Sequence, residues 1–197
     1  MKEKLIHTLE TQCNWNMFFG VTDSLTLDKG FKSTADNFIK SKIIETAFGI
    51  SANMERVDER GWDFDFQGVK VELKTCKTLL QKRKGNQTTN IKIKNFRGDV
   101  EKSSNRFKEE KCFDYLICIG TKDRNIIVVD DVVARSKYEK GGDGMFATFK
   151  PDDYYLCKID EVIPFNYNNN VSKLIDDVIK QWINSGVPAP SLMNFFK

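Results

Sequence analysis

Two carboxylates and one lysine stand out by type and spacing: Asp63, Glu72 and Lys74, within GWDFDFQGVKVELKTCK at residues 61–77. Apolar and polar residues alternate on both sides of Gln67 and Gly68, over residues 62–66 and 69–75, which predicts two strands. Gly68 suits a two-residue turn between them, although Gln is not the best first turn residue. That turn sets Phe66 opposite Val69, Asp65 opposite Lys70, Phe64 opposite Val71 and Asp63 opposite Glu72. Side chains at i and i+2 share a face. The register therefore predicts Asp63, Asp65, Lys70, Glu72 and Lys74 on one face. Phe64, Phe66, Val69, Val71 and Leu73 point the other way, into a core. Asp63 and Glu72 become cross-strand neighbours about 5 Å apart at Cβ. Asp65 faces Lys70 and can pair with it.

Like charges directly opposite each other destabilise a sheet. A hard cation between Asp63 and Glu72 removes that cost. Mg²⁺ takes a few carboxylate oxygens and keeps waters that a phosphate can replace. Lys74 would hold or help deprotonate an attacking water. A solvated hairpin face of alternating charge is the bland reading of the same residues. Glu109 and Lys111 repeat the Glu-x-Lys spacing, but in a stretch that reads as helix with no Asp on a facing strand.

The chain that must position these groups has 197 residues, enough for one α/β domain with a real core. Hydrophobic residues make up 40% and charged residues 30%, which excludes disordered and membrane-spanning classes. No apolar run approaches the ~20 residues of a membrane helix. The start, MKEKLIHTLETQ, lacks the apolar region of a signal peptide. The five cysteines, Cys13, Cys76, Cys112, Cys118 and Cys157, never show Cys-x-x-Cys spacing. That fits a reducing cytoplasm and argues against structural zinc. The one histidine, His7, reads as a surface residue. A single histidine excludes His-metal hydrolases, zinc deaminases and His-Asn-His nucleases.

The formal net charge is +3, unevenly placed. Residues 74–111 hold twelve Lys and Arg against four Asp and Glu, a net of 12 − 4 = +8, so the remainder carries 3 − 8 = −5. Between Lys74 and Arg97 there are eight basic residues and no acidic one. A basic stripe that begins at Lys74 suits a polyanion.

In chain order, residues 3–13 predict a short helix and residues 14–30 an irregular segment in which Trp15, Phe18 and Phe19 need cover. Ser33 opens a helix with Asp36 three residues on, apolar positions 35, 38, 39, 43, 44 and 47 on one face, and Gly49 as its C-cap. Residues 78–90 read as a polar, basic loop around Gly85 and Asn86, and residues 91–96 as a further strand. Residues 99–111 predict a helix. Residues 114–120 form a continuous apolar run, hence a buried strand, with residues 125–130 as its neighbour across a turn. Residues 141–144 are a loop and residues 154–159 a short strand. Asn170 caps a last amphipathic helix through Trp182, with Gly186 after its end. No repeat or linker is visible, so residues 1–197 read as a single domain: a core at about residues 34–130 and a C-terminal helix and tail at 170–197.

An Asp followed by Glu-x-Lys in the next strand resembles the PD-(D/E)XK nuclease superfamily, among which type II restriction endonucleases have this size. The Pro that usually precedes the Asp is replaced by Trp62. The resemblance implies a mixed α/β (α+β) fold with a restriction-endonuclease-like core, a central mixed β-sheet flanked by helices. It also implies a Mg²⁺-dependent hydrolase that leaves 5′-phosphate and 3′-hydroxyl ends. Asp63, Glu72 and Lys74 would be catalytic, and Asp63, Glu72 and the Leu73 backbone carbonyl would bind metal. Glu45, on the preceding helix, matches a glutamate that aids metal binding in many members, although it also reads as a surface residue. Asp65 is the other candidate ligand. The stretch ELKTCKTLLQKRKGNQTTN resembles the PvuII-like branch, where this part of the chain enters the major groove. Gln87, Asn90, Asn95 and Arg97 are then candidates to read bases. Lys82, Arg83 and Lys84 are candidates for phosphates, with Lys77, Asn86, Lys92 and Lys94 in the same basic stretch.

The sequence thus points to a sequence-specific DNA endonuclease whose partners are double-stranded DNA, a second copy of the chain and a cognate DNA methyltransferase, in a bacterial or archaeal cytoplasm. No membrane is expected. One cluster per chain hydrolyses one strand, so cutting both strands calls for a two-fold dimer. The tail apolar residues Leu192, Met193, Phe195 and Phe196 are candidates for its interface or for folding back on their own subunit. Two alternatives remain: a structure-selective or nicking nuclease, and a non-catalytic DNA-binding module. The intact Asp, Glu and Lys speak against the latter, because a binder has no use for a repulsive carboxylate pair.

Overall fold

In the computed structural model the described residues are 1–27, 34–59, 62–83, 86–88, 111–141 and 144–162. They include helices α1 (Lys2–Thr11), α2 (Trp15–Leu27) and α3 (Thr34–Ala52), then strands β1 (Glu55–Glu59), β2 (Trp62–Phe66) and β3 (Val69–Cys76). Short strands β4 (Gln81–Arg83) and β5 (Asn86–Thr88) follow, then β6 (Tyr115–Gly120), β7 (Ile126–Asp130) and helix α4 (Asp131–Ser136). The described part ends with β8 (Tyr138–Gly141), β9 (Gly144–Ala147), a 3-10 turn at Pro151–Asp153 and β10 (Tyr155–Leu156). Among these residues no helix is long and apolar enough to cross a membrane.

The chain divides into two compact units, Met1–Cys13 with Met54–Asp160, and Asn14–Asn53 with Glu161–Lys197. The first holds a six-stranded mixed sheet flanked by helices, in the order β1-β2-β3-β6-β7-β10. Only β3 and β6 run parallel; every other neighbouring pair is antiparallel. A parallel pair needs a long crossover, and the chain between β3 and β6 supplies one that contains the β4–β5 hairpin. Helix α4 packs on β6 and β7. Helix α1 is tied to the sheet by the Lys2–Asp130 ion pair and by the Tyr155 hydroxyl, which donates to Glu10 Oε1 at 3.0 Å.

Register partners share a face of the sheet. Val71 and Leu73 therefore lie with Tyr115, Ile117, Val128, Ile119 and Ile126. Glu72 and Lys74 lie with Leu116, Cys118, Val129 and Ile127. The second face is itself covered: Leu79, Phe113, Ala134, Ala147 and Phe149 join Leu116, Cys118, Ile127 and Val129 in one buried cluster. β6 and β7 are thus buried on both faces, which is why they read as unbroken apolar runs.

The second unit contains α2 and α3. Trp15, Phe18, Phe19 and Phe48 stack with ring centroids 5.2–6.2 Å apart. The irregular segment expected at residues 14–30 is in fact helical over Trp15–Leu27. Asn14 starts that helix: its Oδ1 accepts the Met17 N–H at 3.1 Å and its carbonyl accepts the Phe18 N–H. Gly49 does not cap α3 either. It is buried inside the helix, which runs on to Ala52 before Asn53 takes the left-handed conformation at φ +50. The expected loop at residues 78–90 contains the β4–β5 hairpin, whereas the loop expected at 141–144 spans the connection from Gly141, the last residue of β8, to Gly144, the first of β9. The strand expected at 91–96, the helix expected at 99–111 apart from Lys111, which is not helical, the Ser33 expected to open α3, and the helix and tail expected at 170–197 all lie outside the described residues.

Candidate active site

The β2–β3 hairpin has the register that its alternation predicts: Phe64 pairs with Val71, Asp65 with Lys70 and Phe66 with Val69. The two turn residues both have positive φ, +56 at Gln67 and +83 at Gly68, the signature of the type I′ turn that matches strand twist. Asp65 serves this turn. Its Oδ1 accepts the Gly68 N–H at 2.7 Å. Lys70, opposite Asp65, instead places its ammonium 3.9 Å from the centroid of the Trp62 ring, a cation–π contact. In place of an Asp65–Lys70 ion pair, which the register allows, the two residues make separate contacts.

The regular β2–β3 pairing stops at Phe64 and Val71. The next donor along β3 that faces β2 is the Leu73 N–H. It donates to Asp63 Oδ2 at 2.8 Å instead of to a strand carbonyl. The Asp63 carboxylate is thus seated in the gap where the strands part, one residue from Glu72. In a strand the N–H and C=O of one residue point to the same side, so the Leu73 carbonyl leaves β3 towards that gap as well.

Glu72 departs from the open, solvated face that alternation implies. It is only 5% exposed, because Leu116 and the buried cluster beyond it cover its face. A buried carboxylate needs a positive partner, and Lys74 provides it: Nζ donates to Glu72 Oε1. Cys118 lies beside Lys74 in the register. Burial raises its thiol well above the usual range, Cys76 and Glu72 add to that, and Lys74 opposes it. Burial, with Asp123 adding to it, pushes the Cys76 thiol up to about 11. These thiols are protonated and inert beside the carboxylates.

No family model, curated protein or solved structure matches this chain.

The donors fit a hard divalent cation. Asp63, Glu72 and the Leu73 carbonyl are all oxygen ligands on two adjacent strands, and Glu72 already demands a cation in its surroundings. Among the described residues no three His, Cys, Asp or Glu side chains gather into a metal-holding group. Two carboxylates suffice for Mg²⁺, which keeps most of its waters.

Other candidate residues are placed as follows. Glu45 lies on α3 in the second unit, where its carboxylate accepts from Lys42 Nζ at 2.9 Å and Ser41 Oγ at 3.1 Å. Lys77 is exposed just beyond β3. In the β4–β5 hairpin Lys82 pairs with Gln87 and Arg83 with Asn86 along the backbone. Lys84, Asn90, Lys92, Lys94, Asn95 and Arg97 lie outside the described residues. One residue was overlooked in the sequence, where residues 122–125 read simply as a turn. Asp123 Oδ2 accepts the N–H groups of both Leu79 and Leu80, at 3.0 and 2.8 Å. Only the habit of Asp in turns of bonding nearby backbone hinted at it, and its partners are 43 and 44 residues away in sequence.

Proposed function

We propose that this chain is a Mg²⁺-dependent DNA endonuclease of the PD-(D/E)XK kind, acting as a homodimeric, sequence-specific restriction enzyme. The observation that carries this reading is one cluster: Asp63 held against the Leu73 amide, next to a buried Glu72 that is paired with Lys74. Asp63 and Glu72 would hold the ion, with the Leu73 carbonyl as a further oxygen donor. When bound, Mg²⁺ supplies positive charge to the phosphate and to the departing oxygen. Lys74 then has a second task. Its ammonium, 24% exposed and within reach of Glu72, donates a hydrogen bond to the attacking water and favours loss of that water's proton to solvent by stabilising the hydroxide. The water oxygen bonds to phosphorus as the P–O3′ bond breaks; the water's proton passes to bulk solvent and O3′ takes one from bulk solvent, leaving 5′-phosphate and 3′-hydroxyl ends.

The basic residues that follow β3 support a polyanionic substrate. Lys77, Lys82 and Arg83 all leave the catalytic strand within ten residues, and neutralising phosphates in this way supplies sequence-independent affinity. A two-fold dimer would bring two clusters to the two strands and make the recognised site palindromic.

Digesting a sequenced plasmid in Mg²⁺ tests the reading. Discrete double-strand fragments with palindromic ends are expected. Nicking alone would favour a structure-selective or nicking nuclease, and binding without cutting a DNA-binding module. Lys74→Ala should lower the single-turnover rate by about a thousandfold or more, in the range set by loss of a group that assists proton transfer and charge stabilisation. Binding in Ca²⁺ should stay within about twofold, because Lys74 acts on the chemistry. A matching loss of binding would make Lys74 a phosphate contact.

A further inference from the structure

The pairing of β3 with β6 ends at Cys76 opposite Gly120. Nothing in the sheet itself directs the chain beyond that point, yet most of the basic stretch that begins at Lys74 lies there. The turn between β6 and β7 takes over. The Thr121 N–H and hydroxyl both donate to the Cys76 carbonyl, at 2.8 and 3.3 Å. The Lys122 N–H donates to the Lys77 carbonyl at 2.9 Å. Asp123 Oδ2 then accepts from Leu79 and Leu80. Leu79 is fully buried in the cluster on the Glu72 face, and Gln81, the first residue of β4, follows Leu80 directly.

The fit is close. A Cβ added at Gly120 would meet Asp123 Oδ1 at 1.7 Å and Leu79 Cβ at 2.8 Å, so only glycine lets this turn approach the exit of β3. Asp123 Oδ1 itself is buried and has no hydrogen-bond partner among the described residues. Burying an unpaired carboxylate oxygen is costly, and among the described residues the return is the double grip of Oδ2 on the backbone that enters the hairpin.

We infer that Asp123 is a positioning residue: by holding the Leu79 and Leu80 amides it sets where the β4–β5 hairpin, with Lys82, Arg83, Asn86 and Gln87, stands relative to Asp63, Glu72 and Lys74. Its bearing on DNA rests on the nuclease reading; its grip on the hairpin does not. Loss of Asp123 therefore weakens DNA binding while the bond-breaking step, once DNA is seated, keeps its rate.

The test compares wild type, Asp123→Ala and Asp123→Asn. Hydrogen exchange at the Leu79 and Leu80 amides should accelerate about tenfold or more in Asp123→Ala, as expected for losing hydrogen bonds to a charged acceptor. Exchange of the β6 amides should not change. The dissociation constant for plasmid-derived duplex in Ca²⁺ should rise about tenfold, and the single-turnover rate at saturating DNA should stay within about threefold. Asp123→Asn retains an acceptor oxygen and should fall between the two; it carries the test by itself if Asp123→Ala does not fold. Unchanged exchange at Leu79 and Leu80 overturns the grip. Faster exchange with unchanged DNA affinity overturns the link to substrate, as does a cleavage rate that falls with affinity intact. If wild type neither binds nor cuts DNA, the nuclease reading and the effect on substrate both fail, and exchange alone decides whether Asp123 holds the hairpin.

Discussion

Replacing Lys74 with Met should destabilise the protein by about 2–4 kcal/mol at pH 7, and by much less at pH 5. Glu72 has a side chain only 6% exposed and Lys74 one of 24%. Without the lysine, Glu72 must stay buried and unpaired, a loss of about 3–5 kcal/mol when one partner of a buried pair is removed. The alternative is to take up a proton on folding. For a carboxylate with an ordinary unfolded-state pKa of about 4.3, holding it neutral costs roughly 1.4 × (7 − 4.3) ≈ 4 kcal/mol at pH 7 and about 1 kcal/mol at pH 5. Water that reaches the exposed edge of Lys74 sets the lower end of the range. The sign is fixed: the folded variant binds more protons than its unfolded chain, so its stability falls as pH rises. The double variant Glu72→Gln with Lys74→Met removes the stranded charge and should recover at least half of the loss. Mg²⁺ at about a hundred times its dissociation constant should return about 2.7 kcal/mol to Lys74→Met, and less to wild type, where the ion competes with Lys74 for Glu72. Urea unfolding followed by circular dichroism reads all of these quantities. A Lys74→Met loss under about 1 kcal/mol that is also flat with pH would refute the buried pair.

Three further outcomes follow from other contacts. Gln67→Asn should stabilise by about 0.5–1 kcal/mol, because Asn adopts positive φ more readily and Asn-Gly is the favoured type I′ pair; a loss of thermal stability would contradict the turn. Asp65→Asn should retain cleavage within about tenfold, since an amide oxygen still accepts from Gly68 and the proposed metal ligand is Asp63; loss equal to that of Asp63→Asn would make Asp65 a ligand. Burial raises the Asp114 carboxyl, but Lys111 and the Lys70 N–H outweigh it and hold the group below its usual 3.8. A depressed carboxyl contributes stability above its unfolded value and loses it as pH falls through the lower folded one. Asp114→Asn should therefore be less stable than wild type at pH 7, with the gap closing only below pH 3.8; a gap that closes near pH 6 in urea titrations would contradict this.

The sequence exposed the hairpin because alternation and Gly68 constrain a register in which a one-residue slip would put every side chain on the wrong face. The β6 and β7 runs were legible for the opposite reason: burial on both faces leaves no period, only length. Helix α2 was hidden by the same effect. Trp15, Phe18, Phe19, Val21, Thr22 and Leu25 are all buried, which leaves only a narrow polar strip at Asn16, Asp23 and Ser24 to mark the helix, and Asn14 as its start signal. Gly49 misled because glycine ends many helices, whereas here its lack of a side chain suits a buried position. At the site, Asp63, Glu72 and Lys74 were legible by type and order. The burial of Glu72 was not, because it depends on Leu116 and the cluster behind it, more than forty residues later in the chain. Asp123 was hidden by the same long separation.

Cleavage of supercoiled plasmid in Mg²⁺ by wild type, Asp63→Asn and Glu72→Gln, each first shown to be folded by circular dichroism, tests the hairpin as a phosphodiester-hydrolysing centre most directly. Wild type should cut, EDTA should abolish cutting, and both variants should lose at least about a thousandfold in rate. Either folded variant cutting at the wild-type rate, or a folded wild type that leaves every plasmid intact, would contradict it.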